Sequence, residues 1–178
     1  PDDWRLVKTG KVSPWIHLPG SPAKPENFGI YENLDVMPRA FVVGEVVEIA
    51  GVAPQAAIEG LEQLDARSAV MLDRDVLPEG ERASFQPAEI VEALSDRVTI
   101  RVSNSEPGYL VLTDLFHPGW SATVDGEKTK VLPANLSFRA VPLPAGAHEV
   151  VFRYECPGQR IGMILGGSMA VMLTLVGL

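Results

Sequence analysis

Acidic side chains are the first residues of this sequence to consider for chemistry, because two carboxylates can act together as general acid and base. Asp73 and Asp75 alternate in a stretch that leads into Pro78. Alternating acids in a proline-bounded loop are more typical of a solvated surface than of a catalytic pair. The sequence contains no GxSxG elbow, P-loop or GxGxxG fingerprint. It therefore predicts no catalytic residue in this stretch of 178 residues.

Histidine and cysteine, the usual ligands of transition metals, are few and scattered. His17, His117 and His148 have no ligand spacing, and Cys156 is the single cysteine. Zinc sites need convergent His, Cys or carboxylate groups. We therefore expect neither a metal site nor a cofactor, and one cysteine cannot form an intrachain disulfide.

Three side chains are candidates for ligand binding: Trp120, Arg139 and Trp15. A tryptophan face matches the C–H face of a sugar ring, but a tryptophan on a predicted strand is more often part of a core. An arginine binds phosphate or carboxylate, or pairs with a neighbouring acid. We favour the core for Trp120 and structural pairing for Arg139, with ligand binding as the alternative. Asn135 begins a formal N-glycosylation sequon, a pattern too short to assign a function.

The charge of the chain limits its partners. Its 15 Lys and Arg stand against 23 Asp and Glu, which gives a net charge of −8. This balance disfavours a nucleic-acid surface, which needs clustered basic residues. It also argues against a broad basic face for anionic lipid headgroups.

The stretch from Ala88 to Glu155 consists of short apolar or alternating runs separated by turn residues. Regular short strands at this spacing predict an antiparallel sandwich or barrel rather than βαβ units. Between two of these runs, Asp125 and Gly126 supply the positive φ angles of a two-residue type I′ turn. We therefore predict a β-hairpin at this position.

The first half of the chain has fewer regular patterns. Ala40–Ile49 is rich in Val and predicts one strand, and Ser68–Asp73 predicts a buried strand. Pro54–Leu64 places its apolar residues on one stripe and predicts a short amphipathic helix. Before these, prolines favour an irregular lead-in with two short edge strands, Trp4–Val7 and Trp15–Leu18.

Residues 161–178 are apolar and uncharged. As a helix they would be about 27 Å long, close to the thickness of a bilayer, and we favour a truncated transmembrane helix over a buried soluble one. Both ends of the chain then look like cuts in a longer polypeptide. The predicted organisation is a proline-rich lead-in (1–29), a β-rich domain (30–158) and the membrane helix (161–178). The predicted fold class is mainly β: an antiparallel β-sandwich with one short amphipathic helix, followed by the start of a transmembrane helix.

Two stretches carry more specific patterns. The first is residues 30–41, IYENLDVMPRAF. The second runs from Tyr109 to Tyr154, and its residues 117–154 read HPGWSATVDGEKTKVLPANLSFRAVPLPAGAHEVVFRY. Together they resemble the C-terminal extracytoplasmic region of the YfhO-type bacterial membrane proteins, in which a YEN…PRA segment precedes a PGW…VDG…FRAV…PAG.H.V.F.Y segment. The matching positions of the second segment are Pro118, Gly119, Trp120, Asp125, Gly126, Phe138, Arg139, Gly146, His148 and Tyr154.

The resemblance implies a location and a function. The YfhO family resembles polytopic glycosyltransferases that use a lipid-linked sugar outside the cytoplasmic membrane, and their catalytic carboxylate lies in an early loop, upstream of the region matched here. The chain is therefore expected to be a non-catalytic accessory domain on the extracytoplasmic side, contacting the bilayer through 161–178 and, through its parent protein, a cell-wall polymer or lipid-linked sugar. The alternative is a carbohydrate-binding or purely structural domain of a membrane protein without transferase activity.

Overall fold

The computed structural model describes residues 4–12, 26–156 and 158. The chain divides into two compact units, Pro1–Met37 and Pro38–Leu178. The predicted membrane helix, residues 161–178, and the predicted edge strand Trp15–Leu18 lie outside the described residues. Among the residues that are described, no helix is long and apolar enough to cross a membrane.

The first unit contains a two-stranded antiparallel sheet. Strand β1 (Trp4–Val12) pairs with β2 (Glu26–Asn33), and the register shifts between Leu6 and Lys8. Strand β1 is thus longer than the edge strand Trp4–Val7 that we predicted. Strand β2 runs through residues 29 and 30, where the sequence had placed the boundary between lead-in and domain, because Gly29 and Ile30 both pair with β1.

The described part of the second unit is built from twelve strands and one helix. In chain order these are β3 (Ala40–Val43), β4 (Glu45–Glu48), α1 (Pro54–Glu62), β5 (Ala69–Leu72), β6 (Gln86–Pro87), β7 (Glu89–Ala93), β8 (Arg97–Asn104), β9 (Gly108–Leu112), β10 (Trp120–Val124), β11 (Glu127–Thr129), β12 (Leu132–Ala134), β13 (Phe138–Leu143) and β14 (Gly146–Tyr154). Ten of the strands form two five-stranded antiparallel sheets, in the orders β11-β10-β14-β8-β7 and β12-β13-β9-β3-β6. The predicted mainly β, antiparallel architecture is confirmed.

The two sheets share one hydrophobic core. Strand β8 alternates buried and exposed residues, as expected for a strand with one face on the core, and Ile100 is fully buried. Phe152 of β14 and Leu110 of β9 are also fully buried and belong to the same cluster. Because buried residues from both sheets form one contiguous cluster, the arrangement is a sandwich.

The remaining two strands form a separate parallel pair. Strands β4 and β5 run side by side, and α1 connects them. The predicted single strand Ala40–Ile49 is therefore wrong, because the chain leaves the sandwich sheet after Val43 and enters this pair at Glu45. The predicted helix is confirmed, with Pro54 in its first turn.

The hairpin at Asp125-Gly126 is confirmed. Val124 of β10 pairs with Glu127 of β11, so the loop has two residues. The φ angles of Asp125 and Gly126 are 51° and 87°, both in the left-handed region that a type I′ turn requires.

Replacing Gly126 by valine is expected to lower the free energy of unfolding by about 1–3 kcal/mol. A Cβ at this position would meet no atom within 4 Å, so the loss would report the backbone conformation rather than a steric contact. Urea denaturation followed by tryptophan fluorescence measures it. Gly126→Asn is the control and should cost less, because asparagine tolerates positive φ. Equal stability of the valine and asparagine variants would contradict the turn assignment.

Candidate functional site

Three charged residues meet at one end of β9. Arg39 directly precedes β3, Asp114 follows β9, and Arg139 lies on β13 opposite Leu112. Strand β9 pairs antiparallel with both β3 and β13. The residue before β3, a residue just after β9 and a residue of β13 therefore come together. A backbone hydrogen bond from the Thr113 N–H to the Arg39 carbonyl, at 2.9 Å, extends the pairing as far as this site.

The Asp114 carboxylate accepts hydrogen bonds from both arginines. Arg39 donates from Nε to Oδ1 at 2.8 Å and from Nη2 to Oδ2 at 2.9 Å, in a bidentate pair. Arg139 donates from Nη2 to Oδ2 at 2.8 Å and from Nη1 to the Leu115 carbonyl at 3.3 Å. The predicted pairing of Arg139 with a neighbouring acid is therefore what the structure has, and Asp114 is the partner.

Burial differs strongly between the two arginines. The Arg139 side chain is 2 % exposed, whereas that of Arg39 is 50 % exposed and that of Asp114 is 21 % exposed. Burial lowers the pKa of Arg139 to about 10, against the opposing effect of Asp114. Hydrogen bonding to Asp114 raises the pKa of Arg39. Both guanidinium groups are therefore charged at neutral pH, and one carboxylate serves two cations.

Aromatic rings surround the buried guanidinium. The Arg139 guanidinium carbon lies 3.7 Å from the centre of the Trp120 ring and 5.3 Å from that of Phe152. Trp120 is partly buried and packs against the core, and its ring is 5.3 Å from that of Tyr154. This geometry fits cation–π contact. One face of Trp120 is thus occupied by protein, which agrees with the core interpretation that the sequence favoured.

A second cluster of family-type residues fixes the β10–β11 hairpin to β14. His148 Nδ1 is 2.6 Å from Oδ2 of Asp125, and the Glu149 N–H donates to Oδ1 of Asp125 at 2.8 Å. The Asp125 N–H in turn donates to the Glu149 carbonyl at 2.9 Å. The hydrogen bond from His148, and then that from Glu149, lower the pKa of Asp125. The exposed Asp125 carboxylate therefore holds the β10–β11 turn to β14 through hydrogen bonds.

The two acids considered at the outset have different surroundings. Asp75 accepts hydrogen bonds from the Tyr109 hydroxyl and from the Leu77 N–H, and its other oxygen is 2.7 Å from Nη2 of Arg82. Burial, and then the hydrogen bond to Asp75, raise the pKa of Tyr109. Asp73 is exposed. The pair does not share a reacting centre, because the carboxylate of Asp75 is engaged in holding its own loop.

The structure brings two of the three predicted ligand-binding residues into direct contact, Trp120 and Arg139, and the third, Trp15, lies outside the described residues. Sequence reasoning did not identify Asp114, although it lies within the second motif segment, Tyr109–Tyr154. In the part of the chain that is described, no three His, Cys, Asp or Glu residues are grouped so that they could hold a metal ion. The charged residues of these clusters form ion pairs with one another. Within the described clusters, no free nucleophile lies beside a base.

A comparison with known protein families gives a match over just under half of the chain. The family model of the bacterial membrane protein YfhO matches residues 80–166. No curated protein matches the chain, and no solved structure matches it. The matched stretch contains Asp114, Trp120 and Arg139, and it covers the second of the two segments from which the resemblance was drawn. The resemblance to the YfhO family of bacterial membrane proteins that the motifs predicted is therefore confirmed over residues 80–166.

Proposed function

We propose that this chain is a non-catalytic, extracytoplasmic accessory domain of a polytopic bacterial membrane protein that resembles the lipid-linked-sugar-dependent glycosyltransferases of cell-envelope polymers. The observation that carries the proposal is the engagement of the motif residues with one another. The buried Arg139 pairs with Asp114 and stacks on Trp120, and Asp125 pairs with His148. The match of residues 80–166 to a membrane-protein family supports a place in such a protein.

The chemistry of these clusters supports a folding role rather than catalysis. A general acid or base must have a proton to exchange with a substrate in reach. The Asp114 carboxylate accepts three hydrogen bonds from two arginines, so both of its oxygens are engaged within the protein. An acceptor polymer or a lipid-linked sugar would then meet its catalytic carboxylate elsewhere in the parent protein.

Carbohydrate binding is the second candidate function. Trp120 is only partly buried, and its neighbour Tyr154 lies 5.5 Å from the ring of His117, which is exposed. Aromatic rings at a surface, beside polar groups, are typical of sugar-binding sites. A sugar would have to use the part of this cluster that Arg139 leaves uncovered.

The purified chain is expected to transfer no sugar from a lipid-linked donor to a cell-envelope polymer, and to bind neutral hexoses weakly. The reason is that the carboxylates of Asp114 and Asp125 are engaged in hydrogen bonds and that Arg139 covers part of the Trp120 ring. Radiolabelled sugar transfer measures the first expectation, and amide shifts in NMR titrations with glucose and galactose measure the second. The parent protein, assayed in the same way, is the positive control for transfer.

Two outcomes would contradict the accessory role. Polymer labelling by the purified chain would make this domain catalytic. Saturable shifts confined to the surroundings of Trp120 and Tyr154, with sub-millimolar affinity, would favour the carbohydrate-binding function. Trp120→Phe distinguishes sugar stacking from a purely structural role and keeps an aromatic ring beside Arg139. If a sugar stacks on the indole, this variant should bind it more weakly. Circular dichroism checks that the fold is retained.

A further inference from the structure

A cleft of about 480 Å³ is lined by residues that belong to neither the Asp114 cluster nor the Asp125 cluster. One wall is the segment after β5, with Asp73, Arg74 and Val76, and the other is the connection into β12, with Lys130 and Pro133. The buried side chains of Leu72 and Leu132 complete the lining. Its volume is in the range of clefts that bind small molecules.

Hydrogen bonds to a buried side chain hold the first wall in place. The Tyr109 hydroxyl accepts hydrogen bonds from the N–H groups of Val76 and Leu77, at 2.8 and 3.2 Å, and donates to Asp75. Arg82 forms an ion pair with the same carboxylate. Tyr109 is fully buried, so the segment that carries Arg74 is fixed to the sandwich by a buried side chain.

The second wall is fixed to the first strand of the cleft by Asn135. Its side-chain Oδ1 accepts the Met71 N–H at 2.8 Å, and its own N–H donates to the Met71 carbonyl at 3.0 Å. Asn135 is 4 % exposed and has a φ of 47°. The turn after β12 therefore pairs with β5 as a strand would. Because Asn135 is buried, its side chain is not accessible for N-glycosylation. Both walls of the cleft are held in position by hydrogen bonds to the rest of the domain.

The charges at the cleft have no internal partner. Within the part of the chain that is described, neither Arg74 nor Lys130 forms an ion pair or a side-chain hydrogen bond, and both are exposed. The chain as a whole carries a net charge of −8. The two walls of the cleft therefore carry two unpaired positive charges, whereas the chain as a whole is negatively charged. Asp73, beside them, is the only acid in the lining.

We infer that this cleft binds the phosphate ester of a sugar or small polyol. Arg74 and Lys130 supply two positive charges for the phosphate group, which carries up to two negative charges in a monoester and one in a diester. The Asp73 carboxylate accepts hydrogen bonds from hydroxyl groups. Val76 and Pro133 offer apolar surface to the C–H groups of the ligand. The inference goes beyond the accessory role and does not depend on it, because it concerns neither transfer nor the Trp120 cluster.

The test is an NMR titration of the full chain with glycerol 3-phosphate and glucose 1-phosphate, beside glycerol and glucose. The phosphate esters are expected to give saturable amide shifts in residues 72–76 and 130–133, and the neutral compounds are not. Arg74→Gln and Lys130→Gln should each weaken binding by about tenfold, the effect of one charge-assisted hydrogen bond. The matched controls Arg153→Gln and Lys128→Gln replace exposed cations outside the cleft and should leave the affinity unchanged.

A second arm identifies the source of the phosphate ester. Vesicles of phosphatidylcholine with and without phosphatidylglycerol are compared for the wild-type chain and for the Arg74→Gln/Lys130→Gln variant, so that any contribution of residues 161–178 cancels. Binding of the soluble esters indicates a free or polymer-borne ligand. Cation-dependent binding to the anionic vesicles alone indicates a lipid headgroup. The inference is overturned if neither arm responds to the two cleft variants, or if the matched controls weaken binding equally. None of these readouts measures sugar transfer, so failure here leaves the accessory role standing.

Discussion

Replacement of Asp114 by alanine is expected to lower the free energy of unfolding by about 3–5 kcal/mol, as for other buried ion pairs that lose one partner. The Arg139 guanidinium is 2 % exposed and would keep only its bond to the Leu115 carbonyl. Arg39 would lose its partner as well. The cost arises from a buried charge without compensation, beside a second charge of the same sign. Urea denaturation, followed by circular dichroism, measures it.

Two further variants separate this explanation from a general loss of packing. Asp114→Ala combined with Arg139→Met removes both charges and should recover much of the lost stability, because an apolar side chain replaces the uncompensated cation. Glu149→Ala is the matched control: its pair with Arg101 is exposed on both sides, at 3.9 Å, and is worth about 1 kcal/mol or less. A cost of that size for Asp114→Ala would show that the Arg139 charge does not depend on Asp114.

The second half of the fold could be predicted because its information is local. The turn at Asp125-Gly126 is encoded by two residues that tolerate positive φ. In β8, apolar and polar residues alternate, which predicts that the apolar ones face the core. Each of these signals spans fewer than about ten residues, and the strands they delimit pair mostly with antiparallel neighbours. The mainly β class followed from such signals.

The pairing of the charged cluster was less predictable. That Arg139 pairs with an acid could be expected, because a guanidinium binds an anionic ligand or pairs with a neighbouring carboxylate. Its partner Asp114 is 25 residues away, and Arg39 is 75 residues from that same carboxylate. Only the sheet order, which places β9 between β3 and β13, joins the three. A single sequence gives strand propensity but not strand order, so the cluster could not be assembled from it.

The division of Ala40–Ile49 was missed for a related physical reason. Both halves of this stretch are rich in Val, and β propensity does not state which sheet a strand joins. The residue that separates β3 from β4 is Gly44. An ideal Cβ on Gly44 would lie 2.4 Å from the carbonyl oxygen of Ala83 and 2.9 Å from its nitrogen. The glycine therefore marks a close approach of two backbones, which is one of its recognised uses inside a strand pattern.

Replacing Gly44 by valine is accordingly expected to cost about 3 kcal/mol or more, at the upper end of the range for overpacking. The Ala83 backbone cannot move away easily, because its N–H donates to the Pro107 carbonyl at 2.9 Å. Its Cβ also lies 2.8 Å from the position a Cβ on Gly108 would take. The thermal unfolding midpoint measures the loss, and Gly44→Ala should show a smaller change in the same direction.

The control for Gly44 is a glycine with room for a side chain. In α1, a Cβ on Gly60 would lie 3.5 Å from Cε of Met71, an ordinary contact. Gly60→Ala should therefore stabilise the chain by up to about 1 kcal/mol through helix propensity. Opposite signs for these two glycine substitutions would establish that the change of sheet at Gly44 is enforced by backbone contact. If Gly44→Val were as well tolerated as Gly60→Ala, the strand could continue past residue 44 and the parallel pair β4–β5 would need another cause.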